Sequence, residues 1–282
     1  MTKQVAATKK IQAVGTPDGM PRRRGRPRRD QPGGIELSRD SVLDAAFAMT
    51  RSESLDTLSM VRVAAGLGVS PSLVHYYLDS RDALVSGVIN RFSRVVWDAT
   101  RTPLANPRQD IEAVATSTYD AMLTYPGVVA YLASNNRFRF VQMVGEDEVD
   151  YGVQSFERLA AAIMGAGYAP ADAALLGHLV RMFILASAQA EVHFQTPGFH
   201  KGFLDATLNR LERAHYPGLH HSLRAFATLK GREVFQQGLQ VLLDGFELRQ
   251  QKPPAAAARL AANRAAKPVA AKPADKTRAT RS

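Results

Sequence analysis

Residues 58–81 read LSMVRVAAGLGVSPSLVHYYLDSR. Ser59 is a good helix N-cap, and Met60, Val63, Ala64 and Leu67 follow at i, i+3, i+4 and i+7, the spacing of one buried stripe on a two-turn helix. Gly68 tolerates the positive φ that ends such a helix, Val69 plugs the corner, and Ser70-Pro71 supplies the N-cap and N1 residues of a second helix reaching about Tyr77. Two short helices joined by a glycine turn predict a helix-turn-helix, whose second helix suits a DNA major groove.

Working outward, Ser38 caps a helix with Val42, Leu43, Ala46, Phe47 and Met49 on one side, placed to pack under that pair. Glu53 to Thr57 is the connection. Ser80 caps a longer helix, patterned by Leu84, Val88, Phe92 and Val95 or Val96, that runs to about Thr100 before Pro103 and Pro107. Further helices are expected at about Asp110 to Tyr125, Val128 to Ser134, Glu146 to Met164, Pro170 to Phe194, His200 to Arg213 and Arg232 to Arg249, with no strand-like alternation between them. The expected fold is all-α. An N-terminal three-helix helix-turn-helix DNA-binding domain (35–82) precedes an α-helical ligand-binding and dimerisation domain (83–250), flanked by disordered basic segments 1–34 and 251–282.

Of 282 residues, 45% are hydrophobic, ample for a core, and none is cysteine, which excludes disulfides, thiolate zinc sites and cysteine nucleophiles. No apolar run approaches 18 residues and no signal-like segment opens the chain, so no membrane span is expected and the cytoplasm is the expected location. The net charge of +10 is unevenly spread: residues 1–34 and 251–282 each carry +7, leaving −4 for everything between. Attraction for polyanions therefore resides in the ends.

The Val42 to Ala46 segment, the Leu58-Ser59-Met60 entry, Val63-Ala64, Leu67-Gly68-Val69-Ser70, His75-Tyr76-Tyr77-Leu78 and Ser80-Arg81-Asp82-Ala83-Leu84, at these spacings, resemble the tetracycline-repressor (TetR) family of bacterial one-component transcriptional regulators. A different three-helix DNA-binding class, such as a homeodomain-like recombinase arm, fits the spacing and length less well. Val74 and Leu78 lie four apart and should face the core, leaving Pro71, Ser72, His75 and Tyr76, with Ser70 at the helix entry, toward DNA. By resemblance, the positions of Pro71, Ser72 and His75 meet base edges and those of Ser59, Tyr76 and Arg81 meet phosphates. Ser72 can donate or accept at a base edge, His75 can donate to guanine, and the Pro71 ring can touch a thymine methyl. The alternative for His75 and Tyr76 is semi-buried packing.

Residues 38–82 hold four arginines against six carboxylates, net −2, so this module alone is a poor polyelectrolyte binder. Upstream, PRRRGRPRR places Arg22, Arg23, Arg24, Arg26, Arg28 and Arg29 around a Gly-Arg-Pro core. That core resembles an AT-hook, in which extended arginines enter a minor groove; a generic basic tail held by phosphates is the alternative. The Ala/Pro/Lys-rich end at 251–282 is read as a solvated tail or a second non-specific DNA contact.

In the last helix Phe235, Leu239, Leu242 and Phe246 form a 4-3-4 seam suited to helix pairing, beside a small-residue stripe of Gly238, Val241 and Gly245. This helix resembles that of the tetracycline repressor subclass, where it joins the Pro170 to Phe194 helix in a four-helix homodimer bundle; intrachain core is the alternative. A two-fold dimer would set its recognition helices about 34–36 Å apart and require a near-palindromic double-stranded operator. Trp97, Tyr119, Met122, Tyr131, Phe138, Met143, Phe156, Met164, His178, Met182 and Phe183 are candidates for an apolar or aromatic effector pocket, with His178 or a tyrosine as orienting group; core packing is the alternative for most of them. Trp97 and Tyr131 stand roughly where tetracycline repressor uses histidines, which argues against a tetracycline-magnesium effector. His215, His220 and His221 around Tyr216-Pro217-Gly218 read as a surface loop, and Glu146 to Asp150 as solvated carboxylates at a helix start. No phosphate-loop, dinucleotide, nucleophile-elbow or metalloprotease motif occurs, so neither a cofactor, a metal nor an enzyme is expected. The expected function is a repressor released from a palindromic operator by a small effector; the alternative is an architectural, nucleoid-type protein that coats DNA with its basic ends.

Overall fold

The structure is a computed structural model in which residues 37–135, 144–145 and 148–251 are described. The arginine arm, Phe138, Met143 and the basic tail lie outside the described residues. Among the described residues every regular element is helical: α1 Arg39–Met49, α2 Met60–Leu67, α3 Pro71–Tyr77, α4 Arg81–Thr100, α5 Pro107–Thr124, α6 Pro126–Ser134, α7 Tyr151–Gly165, α8 Pro170–Val192, a 3-10 turn Pro197–His200, α9 Lys201–Arg210, α10 Pro217–Phe226 and α11 Gly231–Gln251.

The N-terminal trio forms as its caps and stripes require. Ser38 and Ser41 make a reciprocal capping box on α1, and Val42, Leu43 and Ala46 are buried from it. Ser59 accepts from the Arg62 amide to open α2, which buries Met60, Val63 and Ala64 and ends at Gly68 with φ +68°. Val74 and Leu78 of the α3 segment are buried. Ser70 departs from its expected capping role: its hydroxyl lies 3.0 Å from that of Ser72 and makes no bond to the helix amides.

The long helix α4 crosses α1 at Gly87, where a Cβ would lie 2.5 Å from Leu43 Cδ2. Its Leu84, Val85 and Val88 join the core shared with α1. A second joint forms at Tyr125-Pro126-Gly127. The Gly127 amide donates to Thr50 O at 2.9 Å, its carbonyl accepts from Leu55 N at 3.1 Å, and Tyr125 stacks on Phe47 with centroids 4.1 Å apart. The α1–α2 connection is therefore bonded to the start of α6.

Below these joints, α4, α5, α7, α8 and α11 pack side by side. One buried ion pair closes the bundle at the end of α4: Arg158 of α7 bonds Asp110 of α5, and its Nε donates to Thr100 O at 2.6 Å. Asp110 also accepts from Leu104 N at 2.9 Å. Burial pushes this carboxyl's pKa up, but the Arg158 and Leu104 bonds outweigh it and hold the pKa below the ordinary aspartate value.

Several expectations are revised. The histidine loop at 215–221 is largely helix, because Pro217 takes the N1 position and starts α10; His220 lies within it, its Nε2 2.8 Å from Leu211 O. The helix expected from Glu146 begins at Tyr151 with Asp150 as N-cap, and Glu148 is not a solvated spectator but pairs with Arg39 of α1. No apolar run is expected to approach 18 residues, yet an 18-residue window within residues Pro170–Arg210 reaches a mean hydropathy of 1.4, enough by length and composition alone. In the bundle α8 packs against α5, α6, α7 and α11.

Candidate DNA-reading face and effector cavity

The recognition surface follows from the phase of α3. With Val74 and Leu78 turned into the core, Ser70, Pro71, Ser72, His75 and Tyr76 are all exposed, as are Ser59 at the start of α2 and Arg81 at the start of α4. Tyr76 is 78% exposed, so it is not a packing residue. Its ring meets Tyr77 edge-on at 5.1 Å, which limits how it can turn.

The four arginines of residues 37–82 are engaged within the protein. Arg39 pairs with Glu148, and Arg51 donates to the Tyr125 hydroxyl at 3.1 Å while lying 4.9 Å over its ring. Arg62 makes two bonds to Glu53, at 3.0 and 2.5 Å. Arg81 donates to Asp56 O at 2.9 Å, so the residue expected at a phosphate is also a brace for the α1–α2 connection. This is a surface of hydroxyls, an imidazole and a phenol, with its cations occupied.

The cavity lies between α4, α5, α6, α7 and α8. Ile89, Phe92, Ser93 and Val96 of α4 form one wall at i, i+3, i+4 and i+7, and Val114, Thr118 and Met122 of α5 form another. Gly152, Ser155, Phe156 and Leu159 of α7, Leu132 of α6, and Arg181 and Ile184 of α8 complete it. It is narrow, about 50 Å³. Ser155 Oγ donates to Ser93 O at 3.0 Å, and Asn90 receives the Tyr151 amide at 2.9 Å while donating to Val149 O at 3.0 Å. The start of α7 is thereby fastened to the middle of α4.

Of the effector candidates, Met122 and Phe156 line this cavity. Tyr119 does not; it is fully buried, stacked on Phe235 at 4.1 Å, and its hydroxyl has no hydrogen-bond partner among the described residues. Tyr131 is buried outside the lining and Trp97 is half-buried. His178 and Met182 are exposed because α8 turns Leu176, Val180 and Ile184 inward instead, and Met164 is exposed because α7 turns Leu159, Ala162 and Ile163 inward. Phe183 stacks with Phe235 at 5.8 Å as core. Arg181 was missed, although a lone cation inside the run Leu179-Val180-Arg181-Met182-Phe183 is itself a signal.

The pairing seam shifts in the same way. Phe235, Leu239 and Phe246 are buried in their own chain and Leu242 is half-buried, the buried line passing through Leu243. What α11 turns outward is Val241, Gly245 and Leu248, with Val241 70% and Leu248 56% exposed. Among the described residues no group of three or more histidines and carboxylates is placed to hold a metal.

Comparison with known proteins agrees with this architecture. The chain is 24% identical over 221 residues to the HTH-type transcriptional repressor DrrR1 of Streptomyces coeruleorubidus, covering 75% of this chain and 78% of that protein. To the HTH-type transcriptional regulator BetI of Paraburkholderia xenovorans it is 27% identical over 93 residues, 32% of this chain. That match spans about half of BetI, 48%. Two structures of Streptomyces coelicolor ActR share the fold: the complex with actinorhodin has a TM-score of 0.64 at 21% identity, covering 77% of this chain and 98% of that one. Apo ActR gives 0.63 at 20%, covering 76% and 96%. The family model described as "Tetracyclin repressor-like, C-terminal domain" matches residues 102–250, more than half of the sequence, and with a helix-turn-helix ahead of it the chain belongs to the tetracycline-repressor-like family of transcriptional regulators.

Proposed function

We propose that the chain is a homodimeric transcriptional repressor whose α3 face reads a near-palindromic operator and whose interhelical cavity takes the small molecule that releases it. The observation that carries this reading is the continuity of α4. Its first half packs on α1 and its second half walls the cavity, so one rigid element touches both sites. Residues 35–82 are then the DNA-reading unit and 83–250 the effector and dimer unit.

A drug-sized ligand needs a pocket of about 300–1,000 Å³, and this cavity is far smaller. Binding must therefore part α4 from α7 or α8, and it alters operator affinity to the extent that the ligand prefers the displaced α4. The outward stripes of α8 (Leu175, Met182 and Ala186, with His178 among them) and α11 (Val241, Gly245, Leu248) are mostly small or apolar faces suited to pairing with a second copy. DrrR1's description as a repressor and the ActR–actinorhodin complex support the reading.

The +7 charge on each end supports a second reading, an architectural protein that coats DNA. A competition gel separates the two. Retention on a selected palindromic fragment against excess mixed DNA supports the repressor; equal loss from both supports the architectural protein.

A further inference from the structure

A second cavity, about 370 Å³, lies where the start of α5, the turn between α7 and α8 and the last turns of α11 meet. It has the size of a small-molecule site without any parting of the helices. Ile111 and Leu243 give it an apolar side, and its polar lining includes Arg108, Tyr168, Glu247 and Gln250. The Arg108 fork is already filled: Nε donates to Glu112 at 3.0 Å, Nη1 to Glu247 at 2.7 Å, and Nη2 to Asp244 at 2.6 Å and Gln240 at 2.5 Å. One guanidinium against three carboxylates leaves this cluster at −2, so it repels an anion and draws a cation.

Acceptors stand open beside it. Glu247 Oε1 takes Arg108, and Oε2 has no bond among the described residues. Gln250 spends Nε2 on Ala166 O at 3.4 Å, which leaves its Oε1. Tyr168 is only 8% exposed, its ring edge-on to Phe246 at 6.2 Å, and its hydroxyl makes no hydrogen bond among the described residues. Burial raises its pKa, Glu247 raises it further and Arg108 opposes, so the charges that bear on the hydroxyl are the two that line the cavity. A buried phenol left without a partner is costly, and a ligand donor entering here satisfies it.

We propose that this cavity is a second ligand site and that it takes a primary organic ammonium ion, its N–H groups bonded to Glu247 and Tyr168 and its hydrocarbon body laid on Ile111 and Leu243. A primary ammonium brings three donors, one each for the Glu247, Tyr168 and Gln250 oxygens. A quaternary ammonium brings the charge without donors and leaves Tyr168 unpaired. The site shares no lining residue with the cleft walled by α4, and it stands whether or not that cleft is the effector site.

Calorimetric titration of the full chain at pH 7.5 and about 0.15 M salt, which screens surface charge, compares cyclohexylmethylammonium with its neutral isostere cyclohexylmethanol. The ammonium ion is expected to bind roughly tenfold more tightly, the margin of a charge-assisted bond over a neutral one. Glu247→Gln should remove most of that margin, and Tyr168→Phe should weaken the ammonium ion. Gly165→Leu puts a side chain into the cavity without touching a charge and should weaken both compounds; a Cβ there meets only Pro107 Cβ, at 4.0 Å, so the fold accommodates it. Glu233→Gln removes the same charge from an exposed position about 21 Å along α11 and should change nothing. The proposal is overturned if the ammonium ion fails to bind the parent, if the alcohol matches it, or if Tyr168→Phe or Gly165→Leu leaves its affinity unchanged. It is overturned equally if Glu233→Gln costs as much as Glu247→Gln, the mark of surface attraction alone.

Discussion

Gly127 and Glu53 approach so closely that a Cβ on Gly127 would lie 1.8 Å from the Glu53 carbonyl oxygen. The neighbouring Thr50 O would be 2.9 Å away, and both obstacles are backbone. The start of α6 is thus seated on the α1–α2 connection in a way only glycine permits. Gly127→Ala must shift that connection. It is expected to cost about 1–3 kcal/mol in urea unfolding, as overpacking does, with operator affinity falling further than global stability explains. A variant that unfolds and binds like the parent removes this joint from the account.

The Arg158–Asp110 pair makes a second prediction. Asp110→Asn leaves a buried guanidinium without its counter-charge and is expected to cost about 3–5 kcal/mol, whereas Arg158→Met with Asp110→Leu should recover most of that loss. The pH dependence follows from the depressed pKa of Asp110. The pair's contribution is fully present above the unfolded aspartate value and is lost as pH falls through the lower folded value. Acid titration of the unfolding free energy should therefore show an acid-side loss that Asp110→Asn abolishes.

Tyr119 has a buried hydroxyl without a hydrogen-bond partner among the described residues, and burial, with Glu191 next, raises its pKa. Tyr119→Phe keeps the stack on Phe235 and removes the unsatisfied group. It should be neutral or stabilise by about 1–3 kcal/mol in thermal unfolding. A clear loss of stability would mean that the hydroxyl has a partner in solution.

Arg39, Arg51, Arg62 and Arg81 are engaged within the protein, so the proposed reading assigns much of the phosphate neutralisation to the arm at residues 21–29. If that arm reaches about four phosphates per subunit, deleting residues 1–30 should flatten the log–log salt slope by roughly 3.6 per subunit. Arg62→Ala should leave the slope nearly unchanged. An unaltered slope on deletion would move the electrostatic contact elsewhere.

Much of the fold was legible because helix caps and apolar stripes are local. Ser38, Ser59 and Ser80 cap helices where the pattern put them, and Val74 and Leu78 set the phase that exposes Ser72 and His75. What failed was rotational phase and turn chemistry. In α11, stepping from Leu242 to Leu243 keeps a helical period but changes the face, and only the packing of α5 and α8 decides between them. On α8, the aromatic and methionine count favoured Met182, while the turn of the helix gives the cavity its neighbour Arg181. Pro217-Gly218 looked like a turn and is the first turn of a helix.

The central claim is that two copies of α3 read sequence together. Selection of bound duplexes from a random pool by the full chain tests it most directly. The account predicts enrichment of a near-palindrome with half-site centres about 10–10.5 base pairs apart or a multiple of that, degraded at defined positions by Ser72→Ala or His75→Ala at about 1–3 kcal/mol per lost contact. A pool that stays unenriched, or that yields a single unpaired site indifferent to both substitutions, would contradict it.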